Sequence, residues 1–278
     1  MFSNREIYFQ LINKHNKYLT DYVIKLLLCE ISGYESFTEL SKNFDANNKC
    51  YDEIIAKSKR IELGEPYQYV LNKAYFLNEP YYVDKNVLIP RQETEQLIIE
   101  IIKKIEVLQS FCPKTICDIC TGSGILAIEL KKRYPESDVI GTDIDKNALK
   151  VANKNAKDKG IYIEFRKGDL LDPIIGNKRF DLIVCNPPYI EDRTTIDKQV
   201  FEYEPHLALL AKPGTYFYEQ ILKNLHDITN ERFLIGFEIG ENQELKLTEM
   251  IHKYLKNINF EFKIDLYGKT RFLLLWKE

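Results

Sequence analysis

The stretch TICDICTGSGILAIELKKR, residues 115–133, has the pattern of a buried strand, a glycine-containing turn and a helix. TICDIC is a short apolar run, whereas apolar positions in ILAIELKKR recur with helical spacing. Gly122 and Gly124 lie between the two runs. Glycine permits the left-handed backbone of a tight turn and lets the backbone come close to a bound nucleoside. The stretch therefore predicts a strand, turn and helix with a ligand site at the turn.

Strand-like and helix-like segments alternate around this unit, from about Glu93 onward. ETEQLIIEIIKKIEVL (93–108) is helical and precedes the unit. The strand-like segments that follow it are DVIGTDI (138–144), IYIEFRKGD (161–169), FDLIVCNPP (180–188) and RFLIGFEIG (232–240). Because this alternation is typical of βαβ units, it predicts an α/β domain with a parallel sheet.

The C-terminal segments break the alternation. FEFKIDL (260–266) and RFLLLWK (271–277) are separated only by the turn-like YGKT. A right-handed crossover needs a longer connection, so these two strands must be antiparallel. A Rossmann-like, mostly parallel seven-stranded sheet with an antiparallel C-terminal hairpin is the architecture of class I S-adenosylmethionine-dependent methyltransferases. We predict this fold.

The remainder of the chain predicts a second, smaller domain. In residues 1–73, apolar positions recur at helical spacing, and Gly33 is a helix stop signal. Residues 74–90, with Pro80 and alternating aromatics, predict a hairpin or extended connector. The predicted organisation is a small helical domain (1–73), the hairpin or connector (74–90) and the α/β domain (91–278).

Charge and hydropathy exclude some classes of protein. The 278 residues carry a formal net charge of -3, and the part up to Lys73 has ten Lys/Arg against ten Asp/Glu. Proteins that grip a phosphate backbone usually have a basic excess, so we expect no stable nucleic-acid binding. Apolar runs such as FLLLW are far shorter than the roughly 18 residues of a membrane span, and the first residues lack the pattern of a signal peptide.

Cysteines and histidines do not form a metal-binding pattern. The six cysteines lack the spacing of a disulfide framework, which indicates reduced thiols in a cytoplasmic protein. Cys117 and Cys120 form a C-x-x-C, but positions three apart on a strand face opposite sides of the sheet. The histidines show no H-x-x-H or H-E-x-x-H spacing. We predict no metal.

The turn and the next strand predict a nucleoside site without identifying the nucleoside. Gly122-x-Gly124-x-x-Ala127 matches the dinucleotide fingerprint, so NAD is an alternative at this point. Asp143 follows Gly124 by nineteen residues, about the interval at which an acidic side chain meets a ribose. NAD and S-adenosylmethionine both have that ribose diol, so Asp143 does not discriminate between them.

Two further aspartates lie near strand ends. Asp145 is predicted to cap the helix of DKNALKVANKNA. Asp169 ends the third strand, where its carboxylate fits an adenine contact or a simple turn equally well, with Leu170 packing on the adenine face.

Asn186-Pro187-Pro188-Tyr189 follows the strand FDLIVC, at the carboxyl edge where open α/β sheets bind ligands. Two consecutive prolines fix φ and remove two N–H donors, so the segment is rigid and its carbonyls can only accept hydrogen bonds. The motif therefore predicts an acceptor site for an NH2 group.

The chemistry of methyl transfer explains why such acceptors are needed. An amide nitrogen is a poor nucleophile, whereas a sulfonium methyl group is already activated, so orientation is the main task. If Asn186 Oδ1 and the Pro187 carbonyl each accept one N–H, the nitrogen is aimed at the methyl carbon, about 3 Å away. The same acceptors stabilise positive charge on nitrogen, and Tyr189 stacks on the planar group.

With these motifs the sequence resembles the protein-glutamine methyltransferases that modify release factors, often called the HemK or PrmC family. The segments that carry the resemblance keep the family's order and cover most of the chain from about residue 60. They are GEPYQYV (64–70), VLIPRQETE (87–95), DICTGSG (118–124), TDIDKNALKVANKNA (142–156), FDLIVCNPPYI (180–190), FEYEPHLAL (201–209) and GFEIGENQ (236–243). NPPY alone is less specific, since adenine and cytosine amino-methyltransferases share it.

The resemblance implies a function in translation termination. The methyl donor would be S-adenosylmethionine, the product S-adenosylhomocysteine, and the acceptor the glutamine of the Gly-Gly-Gln motif of class I release factors, which the N-terminal helices would help dock. The cofactor-binding residues would be Cys120, Thr121, Gly122, Ser123, Gly124, Asp143, Asp169, Leu170 and Asn186. The glutamine, and with it the catalytic role, would fall on Asn186, Pro187, Pro188 and Tyr189.

Two residues depart from the family pattern. Cys120 replaces the usual first glycine of the loop, and it fits there if its φ is negative. Gln92 replaces a usual proline. In the same segment, Arg91 is predicted to close over the methionyl end of the cofactor.

Three other functions are alternatives for this sequence. An adenine amino-methyltransferase acting on nucleic acid is the main alternative, because an adenine amino group suits the same acceptors. The neutral N-terminal part and the lack of a basic stripe count against it. An NAD-dependent oxidoreductase leaves the Asn186 to Tyr189 motif unexplained, and a non-catalytic binding module does not account for both intact motifs.

Overall fold

The computed structural model describes residues 2–176 and 178–278. The chain divides into two compact units. The first comprises the chain up to Lys73 together with Lys198–Tyr203, and the second comprises Ala74–Asp197 and Glu204–Glu278. Among the described residues, every helix is too short or too polar to traverse a lipid bilayer.

The first unit is helical. Its helices are α1 (Asn4–Ile12), α2 (Asp21–Ser32), α3 (Phe37–Lys42), α4 (Tyr51–Glu62), α5 (Tyr67–Leu71) and the later α9 (Lys198–Tyr203). Thr20 caps α2, and Gly33 ends it with a φ of 78°, as the stop signal predicted. Apolar side chains of α2 such as Ile24 and Leu27 are fully buried and form the centre of the unit's own core.

The second unit begins with a short hairpin of β1 (Ala74–Phe76) and β2 (Glu79–Tyr81), which pair antiparallel. The two turn residues, Leu77 and Asn78, both have positive φ, as a type I′ hairpin turn requires. Phe76 and Tyr81 are buried in an apolar cluster that they share with the main sheet of this unit.

The main sheet of the described chain has seven strands. They are β3 (Thr115–Ile119), β4 (Asp138–Asp143), β5 (Glu164–Lys167), β6 (Phe180–Cys185), β7 (Thr229–Glu238), β8 (Asn259–Ile264) and β9 (Thr270–Lys277). The spatial order is β5-β4-β3-β6-β7-β9-β8, and only the pairs that involve β9 are antiparallel. The predicted sheet and its C-terminal hairpin are confirmed.

Strand β5 is shortened most relative to its sequence pattern, and β6 also ends early, at Cys185 instead of residue 188. Residues 161–169 have the pattern of a strand, but β5 contains only Glu164–Lys167. It lies at the edge of the sheet and pairs with only the last four residues of β4, so hydrogen bonds support only this short length.

Helices cover both faces of the sheet. They are α6 (Gln92–Val107), α7 (Ile125–Arg133), α8 (Lys146–Asp158), α10 (Tyr216–Lys223), α11 (Leu225–Ile228) and α12 (Glu244–Tyr254). Alternate residues of each strand belong to different apolar clusters: Ile119 and Ile183 pack on one face, Ile116 and Leu182 on the other. Because β3 to β7 are parallel, their carboxyl ends meet at one edge, where the functional motifs follow them.

Candidate active site

The glycine turn after β3 has the conformation that the sequence predicts. Gly122 and Gly124 have φ values of 54° and 80°. The turn is closed by hydrogen bonds from Thr121 N to Thr142 O (2.9 Å) and from Gly124 N to Thr121 O (2.8 Å). A Cβ on Gly124 would lie 2.9 Å from Ala152 Cβ, whereas a Cβ on Gly122 would meet no protein atom within 4 Å. Gly124 thus permits helix packing, and Gly122 leaves open space for a ligand.

Cys120 corrects two of our expectations. Its φ is 60°, not negative, so it occupies a left-handed conformation that costs a non-glycine residue about 1–2 kcal/mol. Nor do Cys117 and Cys120 face opposite sides of the sheet, because β3 ends at Ile119 and the left-handed backbone turns Cys120 back. Cys117 and Cys185 belong to one apolar cluster, and Cys120 packs against the same cluster.

Asp143, at the end of β4, lies beside the glycine turn. Its Oδ2 accepts a hydrogen bond from Gly122 N (2.9 Å), and its Oδ1 accepts one from Asp145 N (2.9 Å). Burial raises the pKa of the Asp143 carboxyl, and these two backbone donors oppose that rise. Asp145 caps α8 through Asn147 N, as predicted.

A buried carboxylate of the DICTGSG motif, for which no separate role was predicted, supports the glycine turn. Asp118 is fully buried, and its Oδ2 accepts hydrogen bonds from the Thr121 hydroxyl and from Ala127 N (3.1 Å). Burial raises the pKa of Asp118 to about 7. A carboxyl group within an apolar strand, just before a glycine turn, was the sequence signal available for it.

The predicted cofactor residues converge on one cleft in the second unit. Those that line it are Cys120, Thr121, Gly122, Ser123, Asp143, Asp169, Leu170 and Asn186. Asp169 is exposed at its rim, and Leu170 is half-buried with a φ of 43°. Pro188 lines the cleft as well, whereas Gly124, Pro187 and Tyr189 are not among the residues that line it. Pro90, Thr94 and Leu207 complete it from other segments.

The Asn-Pro-Pro-Tyr segment presents two acceptors for which the described part of the chain supplies no donor. Asn186 Nδ2 donates to Thr94 Oγ1 (3.1 Å), which leaves its oxygen for another partner. Across residues 2–176 and 178–278, no donor is hydrogen-bonded to Asn186 Oδ1 or to the Pro187 carbonyl. A planar NH2 group is the ligand that such a pair of acceptors suits.

A buried carboxylate stands behind this segment. Glu238, the last residue of β7, accepts a hydrogen bond at Oε2 from the Thr94 hydroxyl (2.6 Å) and at Oε1 from the Tyr189 hydroxyl (3.4 Å). Burial raises the pKa of Glu238 to about 7, and the hydrogen bond from Thr94 opposes the rise. Burial also raises the pKa of the Tyr189 hydroxyl, so Tyr189 remains a neutral donor.

Two glycines leave room for Tyr189. A Cβ on Gly240 would lie 3.1 Å from Tyr189 Cδ2, and a Cβ on Gly214 would lie 2.4 Å from the Tyr189 carbonyl oxygen. Larger residues at these positions would displace the tyrosine.

The Arg91 segment is held by an ion pair. Glu204 is buried, and its carboxylate accepts hydrogen bonds from Ile89 N (3.0 Å) and from the Arg91 guanidinium (2.5 Å). Pro90 lines the cleft, but Arg91 itself is directed to Glu204. The closing role of Arg91 stays a prediction.

No metal-binding group was found in the part of the chain that the structure describes: nowhere do three or more His, Cys, Asp or Glu side chains converge in a way that suits an ion. The absence of a metal from the reaction stays a prediction.

Comparison with known proteins places the chain in a family. Residues 96–204 match the methyltransferase small domain family. The release factor glutamine methyltransferase of Flavobacterium psychrophilum is 37% identical over 214 residues, which cover 75% of this chain and 74% of the relative. The Leptospira interrogans enzyme of the same name is 33% identical over 258 residues, or 90% of this chain and 86% of that protein. The chain belongs to the release factor glutamine methyltransferase family. This confirms the predicted family and the predicted enzyme class, a methyltransferase.

Solved structures agree with the fold of this family member. The ribosomal protein L11 methylase of Lactobacillus delbrueckii superposes with a TM-score of 0.51 at 25% identity, covering 69% of this chain and 82% of that one. A methyltransferase from Pyrococcus furiosus gives a TM-score of 0.51 at 16% identity, with coverages of 70% and 87%. The class I methyltransferase fold is therefore confirmed from structure as well as from sequence.

For this family member, sequence patterns alone did not identify the residues that support the acceptors. Thr94 and Glu238 lie within segments that carried the resemblance, VLIPRQETE and GFEIGENQ, but neither was assigned a role. A signal existed for Glu238, because it is a carboxylate at the end of an otherwise apolar strand. For Thr94 the only signal was its place in the first turn of a helix, where capping is the usual interpretation.

Proposed function

We propose that this chain transfers the methyl group of S-adenosylmethionine to the side-chain amide nitrogen of the glutamine in the Gly-Gly-Gln motif of class I peptide-chain release factors. S-adenosylhomocysteine is the second product. The observation that carries the proposal is the pair of unused acceptors, Asn186 Oδ1 and the Pro187 carbonyl, next to a nucleoside-sized cleft in a member of this family.

The cleft fits S-adenosylmethionine. The Asp143 carboxylate uses one lone pair of each oxygen for a backbone donor, so it can accept two more hydrogen bonds from a ribose diol. Gly122 leaves space that a side chain would fill. Leu170 offers an apolar surface for the adenine ring, and Asp169 an acceptor for its amino group. When bound, S-adenosylmethionine supplies a methyl group that its sulfonium charge already activates.

The protein's contribution is to orient the amide. Asn186 Oδ1 and the Pro187 carbonyl accept the two N–H groups of the glutamine side chain, so the nitrogen faces the cofactor cleft. Both acceptors favour the positive charge that develops on nitrogen during the reaction, and the rigid prolines need no reorganisation to do so. Tyr189 holds the planar amide by its ring. The methylated nitrogen then loses its proton to water, so no buried base is needed.

The same chemistry needs no metal. A metal would activate an electrophile or generate a hydroxide nucleophile. Here the electrophile carries its own positive charge, and the nucleophile is an amide nitrogen that hydrogen bonds can orient.

The N-terminal helices are proposed to dock the release factor. This unit exposes aromatic side chains, among them Tyr22 (53% exposed) and Phe37 (36%), whose rings contact each other edge to face. A Tyr22→Ser, Phe37→Ser double variant is expected to raise KM for the release factor about tenfold, since two aromatic contacts are lost. Its kcat should stay unchanged. Tyr162→Ser, an exposed tyrosine of the other unit, is the matched control.

Because release factors act on ribosomes, the proposal also implies a cytoplasmic location.

The decisive experiment is mass spectrometry of a class I release factor incubated with the protein and S-adenosylmethionine. A single methyl group on the Gly-Gly-Gln glutamine, absent with Asn186→Ala, is the expected result. An unmodified release factor, with cofactor binding demonstrated by titration, would reject the proposed substrate. Adenine-containing nucleic acids would then be assayed under the same conditions, because the adenine amino group fits the same pair of acceptors.

A further inference from the structure

A chain of three side chains, two of them buried, leads away from the acceptor segment. Asn186 Nδ2 donates to Thr94 Oγ1, and Thr94 Oγ1 donates to Glu238 Oε2. Thr94 is 8% exposed and Glu238 is 3% exposed, so water does not compete freely for these groups. The fold brings the three together: Thr94 lies in the first turn of α6, while Cys185 and Phe237, the residues before Asn186 and Glu238, are paired across neighbouring parallel strands.

The direction of these hydrogen bonds follows from the carboxylate. An ionised carboxylate can only accept, so the hydroxyl proton of Thr94 must point to Glu238. The Thr94 oxygen then has only lone pairs to offer its other neighbour, and Asn186 must present its NH2 group to them. Only the Asn186 oxygen is left to face the substrate.

From this geometry we propose that Thr94 and Glu238 are positioning residues that fix the orientation of the Asn186 amide, so that its oxygen and not its NH2 group meets the glutamine nitrogen. The inference rests on the proposed function and assigns two further residues to it. If the amide of Asn186 were reversed, two NH2 groups would face each other, and the substrate could not be oriented.

Glu238 also fixes the other side of the substrate site. Its second oxygen accepts the hydroxyl of Tyr189, so one carboxylate holds both the acceptor amide and the ring proposed to stack on the substrate. The polypeptide around it is held as well, because the Tyr218 hydroxyl donates to the Glu238 carbonyl oxygen (2.9 Å). The carboxylate is therefore a rigid reference point for both groups.

Thr94→Val and Thr94→Ser form a matched pair that tests the proposal. Valine keeps the shape of threonine and removes the hydroxyl, whereas serine keeps the hydroxyl. We expect Thr94→Val to lower kcat about tenfold to a hundredfold, the effect of one lost hydrogen bond to a charged group. The Kd of Thr94→Val for S-adenosylmethionine should be unchanged. Thr94→Ser should have a kcat within about threefold of that of the protein without substitutions. Equal kcat values for Thr94→Val and Thr94→Ser, whether unchanged or equally reduced, would overturn the proposal.

A measurement without turnover separates this inference from the proposed function. In a 15N–1H NMR spectrum, the side-chain NH2 of Asn186, assigned by its loss in Asn186→Ala, should show one proton protected from exchange with water. Protection should persist in Thr94→Ser and disappear in Thr94→Val. If the protein without substitutions fails to methylate a release factor but the three proteins show this pattern of proton protection, the proposed substrate is wrong and the positioning role stands. An Asn186 NH2 that exchanges equally fast in all three proteins refutes the positioning role.

Discussion

The two halves of the candidate site are built in different ways. In the glycine turn, the contacts are local or come from the neighbouring strand: Gly124 N bonds to Thr121 O, and Gly122 N to Asp143. The acceptor segment depends on distant partners, since Asn186 is bonded to Thr94, 92 residues earlier, and Tyr189 to Glu238, 49 residues later. The first half is determined by backbone shape, and the second by the polarity of side chains that only the fold brings together.

The largest expected effect tests whether the acceptor half of the site, the Asn186 to Tyr189 segment, acts in methyl transfer and not in cofactor binding. Asn186→Ala removes one of two acceptors and should lower kcat about a thousandfold, comparable to the loss of one preorganised group that stabilises transition-state charge. Asn186 also lines the cleft, but its amide is directed to Thr94 and to the proposed substrate, so the Kd for S-adenosylmethionine, measured by calorimetric titration, should change by less than about threefold. Asn259→Ala, at an exposed position of β8, is the control and should leave both values unchanged. A comparable loss in cofactor affinity would contradict the division between the two halves.

The next largest effect tests the cofactor half of the site, which consists of the glycine turn and Asp143. In Asp143→Asn an NH2 group must face one of the two backbone donors, Gly122 N or Asp145 N, and the charge that favours a ribose diol is lost. We expect a Kd for S-adenosylmethionine about tenfold to a hundredfold weaker. With the cofactor saturating, kcat should stay within about threefold. Asp172→Asn, exposed and outside the cleft, is the matched control. A drop in kcat at saturation would show that Asp143 acts in chemistry.

A pH profile tests the polarity of the acceptor half. Only the ionised form of Glu238 forces the Thr94 hydroxyl to point toward it, and burial raises the pKa of Glu238 to about 7. Protonation on the acid side removes this constraint, so activity is lost as pH falls and gained as pH rises through 7. With the cofactor saturating, kcat should increase about tenfold from pH 6 to pH 8, in proportion to the ionised fraction of one carboxyl group.

Other charged groups around Glu238 set the position of this transition. Glu93 of α6 opposes ionisation, whereas Arg271 of β9 and the hydrogen bond from Tyr189 favour it. Tyr218 of α10 bonds to the backbone oxygen of Glu238.

The control for the pH profile is Glu238→Gln, which should have a flat profile between pH 6 and pH 8. Asp118, whose pKa burial also raises to about 7, is unchanged in that variant. A rise in kcat that persists in Glu238→Gln would therefore assign the transition to Asp118 and the cofactor half.

The smallest effect concerns the residue that replaces a glycine of the turn. Cys120→Gly removes the cost of a left-handed conformation but adds freedom to the unfolded chain, so the free energy of unfolding should change by less than about 1 kcal/mol. Cofactor affinity should stay within about threefold. Cys112→Gly, at an exposed position, gives the effect of the added freedom alone. A tenfold loss of affinity in Cys120→Gly would mean that the thiol contacts the cofactor.

The sequence predicted those parts of the site that are encoded locally. The glycine turn, the helix cap at Asp145 and the C-terminal hairpin each depend on a few consecutive residues, and the structure has all three where predicted. The prediction for Cys120 was wrong because it treated Cys120 as part of the strand, in which side chains alternate between the two faces of the sheet. The strand ends one residue earlier, at Ile119. A one-residue difference in a strand end reverses the direction of a side chain.

The sequence by itself determined the fold class, the family resemblance and several of the segments that line the cleft, because hydrophobic periodicity and turn residues act over short distances. Only the tertiary structure decided which way the Asn186 amide points and which carboxylate holds it. A hydrogen bond has a donor and an acceptor, and its direction depends on every partner in the chain. For Asn186 those partners are Thr94 and Glu238, which come within hydrogen-bonding distance only when the sheet and α6 have assembled.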